Sequence, residues 1–169
     1  MSRRIRGGVI CLAALAVALG ITACMHWFTG PPVPTLIIGP VTIVGNRGEI
    51  LLSVTDIPGG GLASMAVNVL TGIQFDPAKV ANVAVVGLVG FEVLAQQFGV
   101  VNPNFGGFLV AHAVTGLPAG DFVKLVFDVT GPTVTLADFT FNQPSIDLGD
   151  DTNQDVAYQI RDAYKYYAK

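Results

Sequence analysis

The sequence predicts an all-β domain: an antiparallel β-sandwich of about nine strands, closed by a short C-terminal helix. Three observations carry this. Between Thr35 and about Asp147 the chain is a run of short segments rich in Val, Ile, Thr and Phe, cut at roughly 8–15-residue intervals by Gly/Pro turns. No long helical repeat separates them, which argues against a parallel βαβ sheet. The clearest segment, Phe122–Val129, alternates: Val123, Leu125, Phe127 and Val129 form a wholly apolar set facing a core. With 169 residues, one such core is expected. A mean hydropathy of +0.59 excludes a disordered chain, and nine Lys plus Arg against twelve Asp plus Glu exclude a nucleic-acid surface. Two cysteines are too few for a disulfide scaffold.

The first residues read as an address. Arg3, Arg4 and Arg6 precede 19 uncharged residues, Gly7–Met25, the layout of an export signal. Its apolar centre, Val9–Ile21, is 13 residues long. At ~1.5 Å per residue that is short of a ~30 Å bilayer core. The alternative is an uncleaved anchor extended to Trp27 and Phe28. Ile21-Thr22-Ala23-Cys24 resembles the lipobox of bacterial lipoproteins, where small residues admit the peptidase and the cysteine thiol accepts a diacylglyceryl group. The expectation is a signal peptide over 1–23 and lipidation at Cys24, with the membrane as a partner through that lipid. Cleavage would leave six basic against twelve acidic residues, formally −6. Residues 24–34 would then form a lipidated spacer, stiffened by Pro31, Pro32 and Pro34.

The sandwich is expected over 35–148. Its strands are Thr35–Ile43, Glu49–Thr55, Ala63–Leu70, Asn82–Leu88, Phe91–Gln97, Phe108–Val114, Phe122–Val129, Thr133–Phe141 and Ser145–Leu148. Ile57-Pro58-Gly59-Gly60-Gly61 makes the sharpest turn, where positive φ costs little. In Thr133–Phe141 the residues Val134, Leu136, Phe139 and Phe141 share a face only if the strand is irregular near Ala137-Asp138.

Taken in order, several of these stretches resemble the cohesin family. Glu49–Asp56 with Ile57-Pro58-Gly59-Gly60-Gly61-Leu62-Ala63 is similar to a strand and turn near the start of cohesins. Phe75-Asp76-Pro77-Ala78-Lys79-Val80 resembles their Asp-Pro turn. Gly106–Ala113, the Gly-Leu-Pro-Ala-Gly loop at 116–120 and Phe122–Val129 resemble their later strands, so the likeness spans roughly 45–148. It implies a jelly-roll sandwich that binds a dockerin module on one sheet face. One departure matters: Gly61 to Asp76 is several residues longer than in cohesins, so the strand around Ala66–Gly72 is expected to be bulged or extended. That stretch belongs to the region that contacts dockerins in the family, and Asn68, Thr71 and Gln74 are its candidate partner-binding residues.

Catalytic chemistry is not expected. His26 lies beside the anchor, and His112 stands in an apolar strand, read as outward or as a satisfied core imidazole. The few serines form no nucleophile elbow, and Asp76 before Pro77 reads as a turn residue. A sugar-stacking platform is poorly supported, because Trp27 is beside the anchor and no Tyr precedes Tyr158; Phe91, Phe98 and Phe105 near turns are the aromatics left for exposure.

The tail, 149–169, begins like a calcium loop at Asp151-Thr152-Asn153-Gln154-Asp155, with Asp162 twelfth. Position six, however, is Val156 where glycine makes the turn. The favoured reading is a helix capped by Asp150 or Asp151, with Ile160, Ala163, Tyr164 and Tyr167 as its stripe. No metal or other cofactor is therefore expected. The overall expectation is an exported, lipid-anchored envelope protein whose non-catalytic module binds a dockerin-like protein or a polysaccharide. The rival is a structural envelope lipoprotein in a permanent assembly.

Overall fold

The computed structural model describes residues 32–112, 116–152 and 154–162. Cys24 and the signal and lipobox readings lie outside the described residues. Among the described residues the strands are β1 (Thr35–Val44), β2 (Arg47–Thr55), β3 (Leu62–Val67), β4 (Ile73–Phe75), β5 (Val80–Gly87), β6 (Phe91–Phe98), β7 (Phe105–His112), β8 (Gly120–Val129), β9 (Phe139–Phe141), β10 (Ile146–Asp150) and β11 (Gln159–Asp162).

They form two sheets. Sheet I has the order β11-β1-β2-β8-β5. Sheet II has the order β10-β3-β7-β4-β9, with β6 on the far side of β7. In sheet II, β3 and β4 pair with successive parts of the same β7 edge, Ser64–Ala66 against Ala111–Leu109 and Ile73–Gln74 against Gly106–Phe105. They are two halves of one interrupted strand.

The inner faces follow the alternation read from sequence. Ile50, Leu52 and Val54 of β2 and Val123, Leu125 and Phe127 of β8 are buried, and meet Met65, Val67, Phe108, Val110, Ile146 and Leu148 from sheet II. Phe122 is buried as well, because the β2–β8 register shifts between Leu52 and Ser53 and turns an extra residue inward. Each such side chain contributes roughly 1.5–3 kcal/mol by leaving water. Gly48 makes room for this packing: a Cβ there would lie 2.2 Å from the Phe127 ring.

Three expectations change. The expected helix is absent from the described part of the tail. Asp150 does cap, its Oδ1 accepting the backbone N–H groups of Thr152 (2.8 Å) and Gln154 (2.9 Å). The chain then continues with period two, burying Val156 and half-burying Tyr158 and Ile160, so β-pairing wins over helix. The sandwich consequently runs to Asp162 rather than ending at 148. Second, the sandwich is not antiparallel throughout, because β11 pairs in parallel with β1, Thr35 to Gln159 through Ile38 to Asp162. Third, the expected strand Thr133–Phe141 is mostly irregular: a 3-10 turn at Leu136–Asp138 replaces the bulge, and only Phe139–Phe141 pairs. It still delivers Val134 and Phe139 to the core.

The two long sides of the sandwich are closed differently. On one side, the Gln96 side chain of β6 crosses to β5 and accepts the Val85 N–H at 2.7 Å. On the other, the tail straps both sheets. Val156 N–H donates to Leu148 O of sheet II (2.8 Å), and Gln159 N–H donates to Pro34 O beside sheet I (3.0 Å). Tyr158 Oη donates to Ile146 O at 2.7 Å between these points.

Candidate binding face

An exposed sheet offers a partner whatever its outward residues leave unsatisfied, and the two outer faces differ in this. On sheet I four outward charges are paired across strands. Lys124 Nζ lies 2.9 Å from Glu49 Oε2, and Arg47 Nε lies 3.6 Å from Asp128 Oδ1. Asn82 Nδ2 donates to Asp128 at 2.8 Å, and Ser53 Oγ donates to Asp121. A shallow depression on this face is lined by Val44, Val86 and Val126 together with Arg47, Glu49 and Lys124.

Sheet II presents the opposite surface. Register places Asp147, Ala66, Leu109 and Ala95 in one outward row and Gly149, Ser64, Ala111 and Glu92 in the next. The floor is thus small side chains around Leu109, which is 37% exposed. Leu94, pushed out where the β6–β7 register shifts between Val93 and Ala95, adds a second exposed apolar group. Glu92 and Asp147 stand on opposite edges, one row offset and three strand spacings apart, roughly 14 Å across the strands at ~4.8 Å each. Neither has an ion pair among the described residues. The four described cations lie elsewhere: Arg47, Lys124 and Arg161 on sheet I strands, and Lys79 in the turn before β5. Lys79 is spent on Asp138 at 2.6 Å. That hydrogen bond, joined by donation from Thr135 N–H, holds the Asp138 carboxyl below its usual range and raises Lys79.

Between β3 and β4 the chain leaves the sheet. From Ala66 to Ile73 it takes seven steps while its β7 partners, Leu109 to Gly106, take three, an excursion of four residues. This is the bulge expected from the long Gly61–Asp76 interval. The loop Asn68–Gly72 is closed by Gly72 N–H donating to Asn68 O (2.7 Å), and Asn68 Oδ1 accepts the Leu70 N–H (2.9 Å). Asn142 Nδ2 ties it down, donating to Thr71 O at 3.0 Å and to Ser145 Oγ at 2.9 Å. Thr71 and Ser145 hydroxyls are bonded at 2.8 Å. Gly107 lies beneath, where a Cβ would sit 2.2 Å from Val67 O, so only glycine admits this backbone crossing.

The structure therefore brings Asn68, Thr71 and Gln74 onto one face, all exposed. It commits the Asn68 carbonyl oxygens and the Thr71 hydroxyl to the loop's own bonds, and leaves the Gln74 side chain directed outward beside Phe105 and Thr140. Sequence reasoning missed Leu70, Leu109, Glu92 and Asp147. The alternation Ile146-Asp147-Leu148 carried a signal for the last of these.

The other residues singled out are structural. His112 Nε2 lies 2.9 Å from Val89 O and its ring stands edge-on to Phe91, centroids 5.1 Å apart. Asp76 Oδ1 accepts the Ala78 N–H at 2.9 Å, as a turn residue should. Phe91 is buried, Phe98 packs against the core, and Phe105 is half-buried. In the tail, Asp151 Oδ1 accepts the Gly60 N–H at 3.1 Å, tying two loops together. Among the described residues no three His, Cys, Asp or Glu side chains converge on a common point, and no helix is long and apolar enough to cross a membrane.

No family model and no curated protein sequence matches this chain. Solved structures do. The sixth cohesin of scaffoldin B from Acetivibrio cellulolyticus, crystallised with a mutant Cel5 dockerin, is 13% identical with a TM-score of 0.52, covering 75% of this chain and 94% of that one. The cohesin module of a family 33 glycoside hydrolase from Clostridium perfringens is 13% identical with a TM-score of 0.53, covering 79% and 99%. The seventh ScaB type I cohesin of Pseudobacteroides cellulosolvens is 13% identical with a TM-score of 0.50, covering 78% and 88%. The chain has a cohesin-like fold.

Proposed function

We propose that this is a non-catalytic protein-binding module that receives a dockerin-like partner on the outer face of sheet II. The observation that carries the reading is the contrast in charge. Glu92 and Asp147 face solvent with no cation beside them among the described residues, on an otherwise small floor, whereas on sheet I Arg47 pairs with Asp128 and Lys124 with Glu49. A partner bringing Lys or Arg with an apolar surface satisfies both at once. Gln74, with Asn68 and Thr71 at the head of the floor, frames the contact. A neighbour of the same fold was crystallised with a dockerin, which suggests the partner class. A polysaccharide is less well supported, since Phe105 is the one aromatic on this face among the described residues and it is half-buried.

In this reading residues 1–23 direct export, Cys24 carries the lipid that holds the protein at a bacterial envelope, and 24–34 space the module from the bilayer. Changing Cys24 to Ala is expected to release the protein from the membrane fraction; full retention would reject lipidation in favour of an anchor helix. For the binding function, the full chain is incubated with a displayed panel of dockerin modules in calcium. Retention of a subset, lost on chelation, is the expected result. No retention from a broad panel would reject the dockerin reading and favour a permanent envelope assembly.

A further inference from the structure

Resting on that reading, we infer that the Asn68–Gly72 loop is the selectivity element of the face, with Leu70 as an anchor that seats in an apolar recess of the dockerin module. The loop's excursion of four residues is placed where β3 and β4 would otherwise be continuous. Several of its polar groups are already engaged: Asn68 N–H donates to Ser145 O (2.9 Å), Asn142 N–H donates to Gly72 O (2.9 Å), and the Thr71 hydroxyl and Asn68 Oδ1 are bonded as described. Leu70, 49% exposed, is the large apolar side chain that the loop holds out. A short loop pinned at both ends loses little freedom on binding, so an apolar side chain on it transfers most of its desolvation to affinity.

The surroundings fix the chemistry of the occupant. The loop is bonded to Ser145, two residues before Asp147, and the floor beyond it is Ala66, Leu109 and Ala95. A complementary module therefore carries an apolar recess at one end of its contact surface, small or aliphatic residues along it, and basic side chains toward Asp147 and Glu92. Without the recess, the loop obstructs approach to the floor. It therefore works both as an attraction for the right module and as a clash against others.

The test uses the dockerin modules retained from the panel by the wild-type full chain, with dissociation constants measured for loop variants. Leu70→Ala is expected to weaken the preferred module ~10-fold or more and Leu70→Asp ~100-fold, the range of interface anchors. Leu70→Met should recover most of the affinity. Thermal midpoints should not move, since Leu70 is half exposed. Shortening Asn68–Gly72 to a tight turn should let rejected modules bind. If Leu70→Asp leaves every dissociation constant unchanged while the double charge reversal Glu92→Lys with Asp147→Lys abolishes binding, the loop inference is overturned and the binding face stands. If the wild-type chain retains no module, the underlying reading fails and this inference with it.

Discussion

The two outer faces of the sandwich are built on the same alternation but dispose of their charges in opposite ways. Sheet I interleaves Arg47, Glu49, Lys124 and Asp128 so that each charge has an opposite neighbour on the next strand. Sheet II keeps two carboxylates at its edges, with alanine, serine and glycine between them. Ion pairs between exposed side chains contribute little to stability, so the pairing on sheet I matters more for making that face self-sufficient. Among the described residues the sheet II carboxylates have no counterion, and that difference is what makes sheet II the face offered to a partner in the proposed function.

Gly107→Val should have the largest effect. The added side chain would meet Val67 O and the Asn68 carbonyl carbon at the crossing of loop and strand, with 2.2 Å and 2.6 Å to its first carbon. Backbone cannot yield there without detaching the loop or parting β3 from β7. A loss of about 3 kcal/mol, the upper end of overpacking costs, is expected in chemical denaturation. A loss below about 0.5 kcal/mol would mean that the loop lifts freely and is not a fixed part of the face.

Charge reversal gives the next effect and separates the faces directly. Glu92→Lys with Asp147→Lys should abolish retention of dockerin modules, ~100-fold or more, while leaving stability almost unchanged. Glu49→Lys should do the reverse: binding intact, and up to about 1 kcal/mol lost as two lysines become diagonal neighbours across β2 and β8. Equal loss of binding from both changes would show that partner capture is long-range attraction to an acidic protein rather than recognition by one face.

Much of this sandwich was legible in the sequence because burial on one side of a sheet imposes a period of two that residues cannot hide. Ile50, Leu52, Val54 and Val123, Leu125, Phe127 declared both their strand and its inner face. Failures came where local chemistry was ambiguous. Asp150 caps N–H groups two and four residues on, as at a helix start, yet the next residues bury by twos; local capping and tertiary pairing point different ways, and pairing decides. The three residues of β4 are too few to show a period. The site was less legible than the fold. Asn68, Thr71 and Gln74 do share the outer face of sheet II, but a register between distant strands decides that Glu92 and Asp147 share it too, and no local pattern encodes that register.

The smallest expected effect reads the Asp147 charge on sheet II without any partner. Tyr158 is pushed up to about 12, chiefly by burial and in part by the negative charge of Asp147. Its hydroxyl donates to Ile146 O, next to Asp147 in sequence, so the phenol is held in its neutral form beside a charge. A group that binds its proton more tightly when folded adds stability fully present below its unfolded value near 10, and lost as pH rises through about 12. Asp147→Asn removes the smaller of the two causes. The Tyr158 titration, isolated by difference against Tyr158→Phe in phenolate absorbance, should move down by a few tenths of a pH unit and remain above 10. The alkaline loss of stability should shorten from its upper end by the same interval. If the titration does not move, the Asp147 charge is already neutralised within the molecule, and the contrast between the two faces loses one of its two carboxylates.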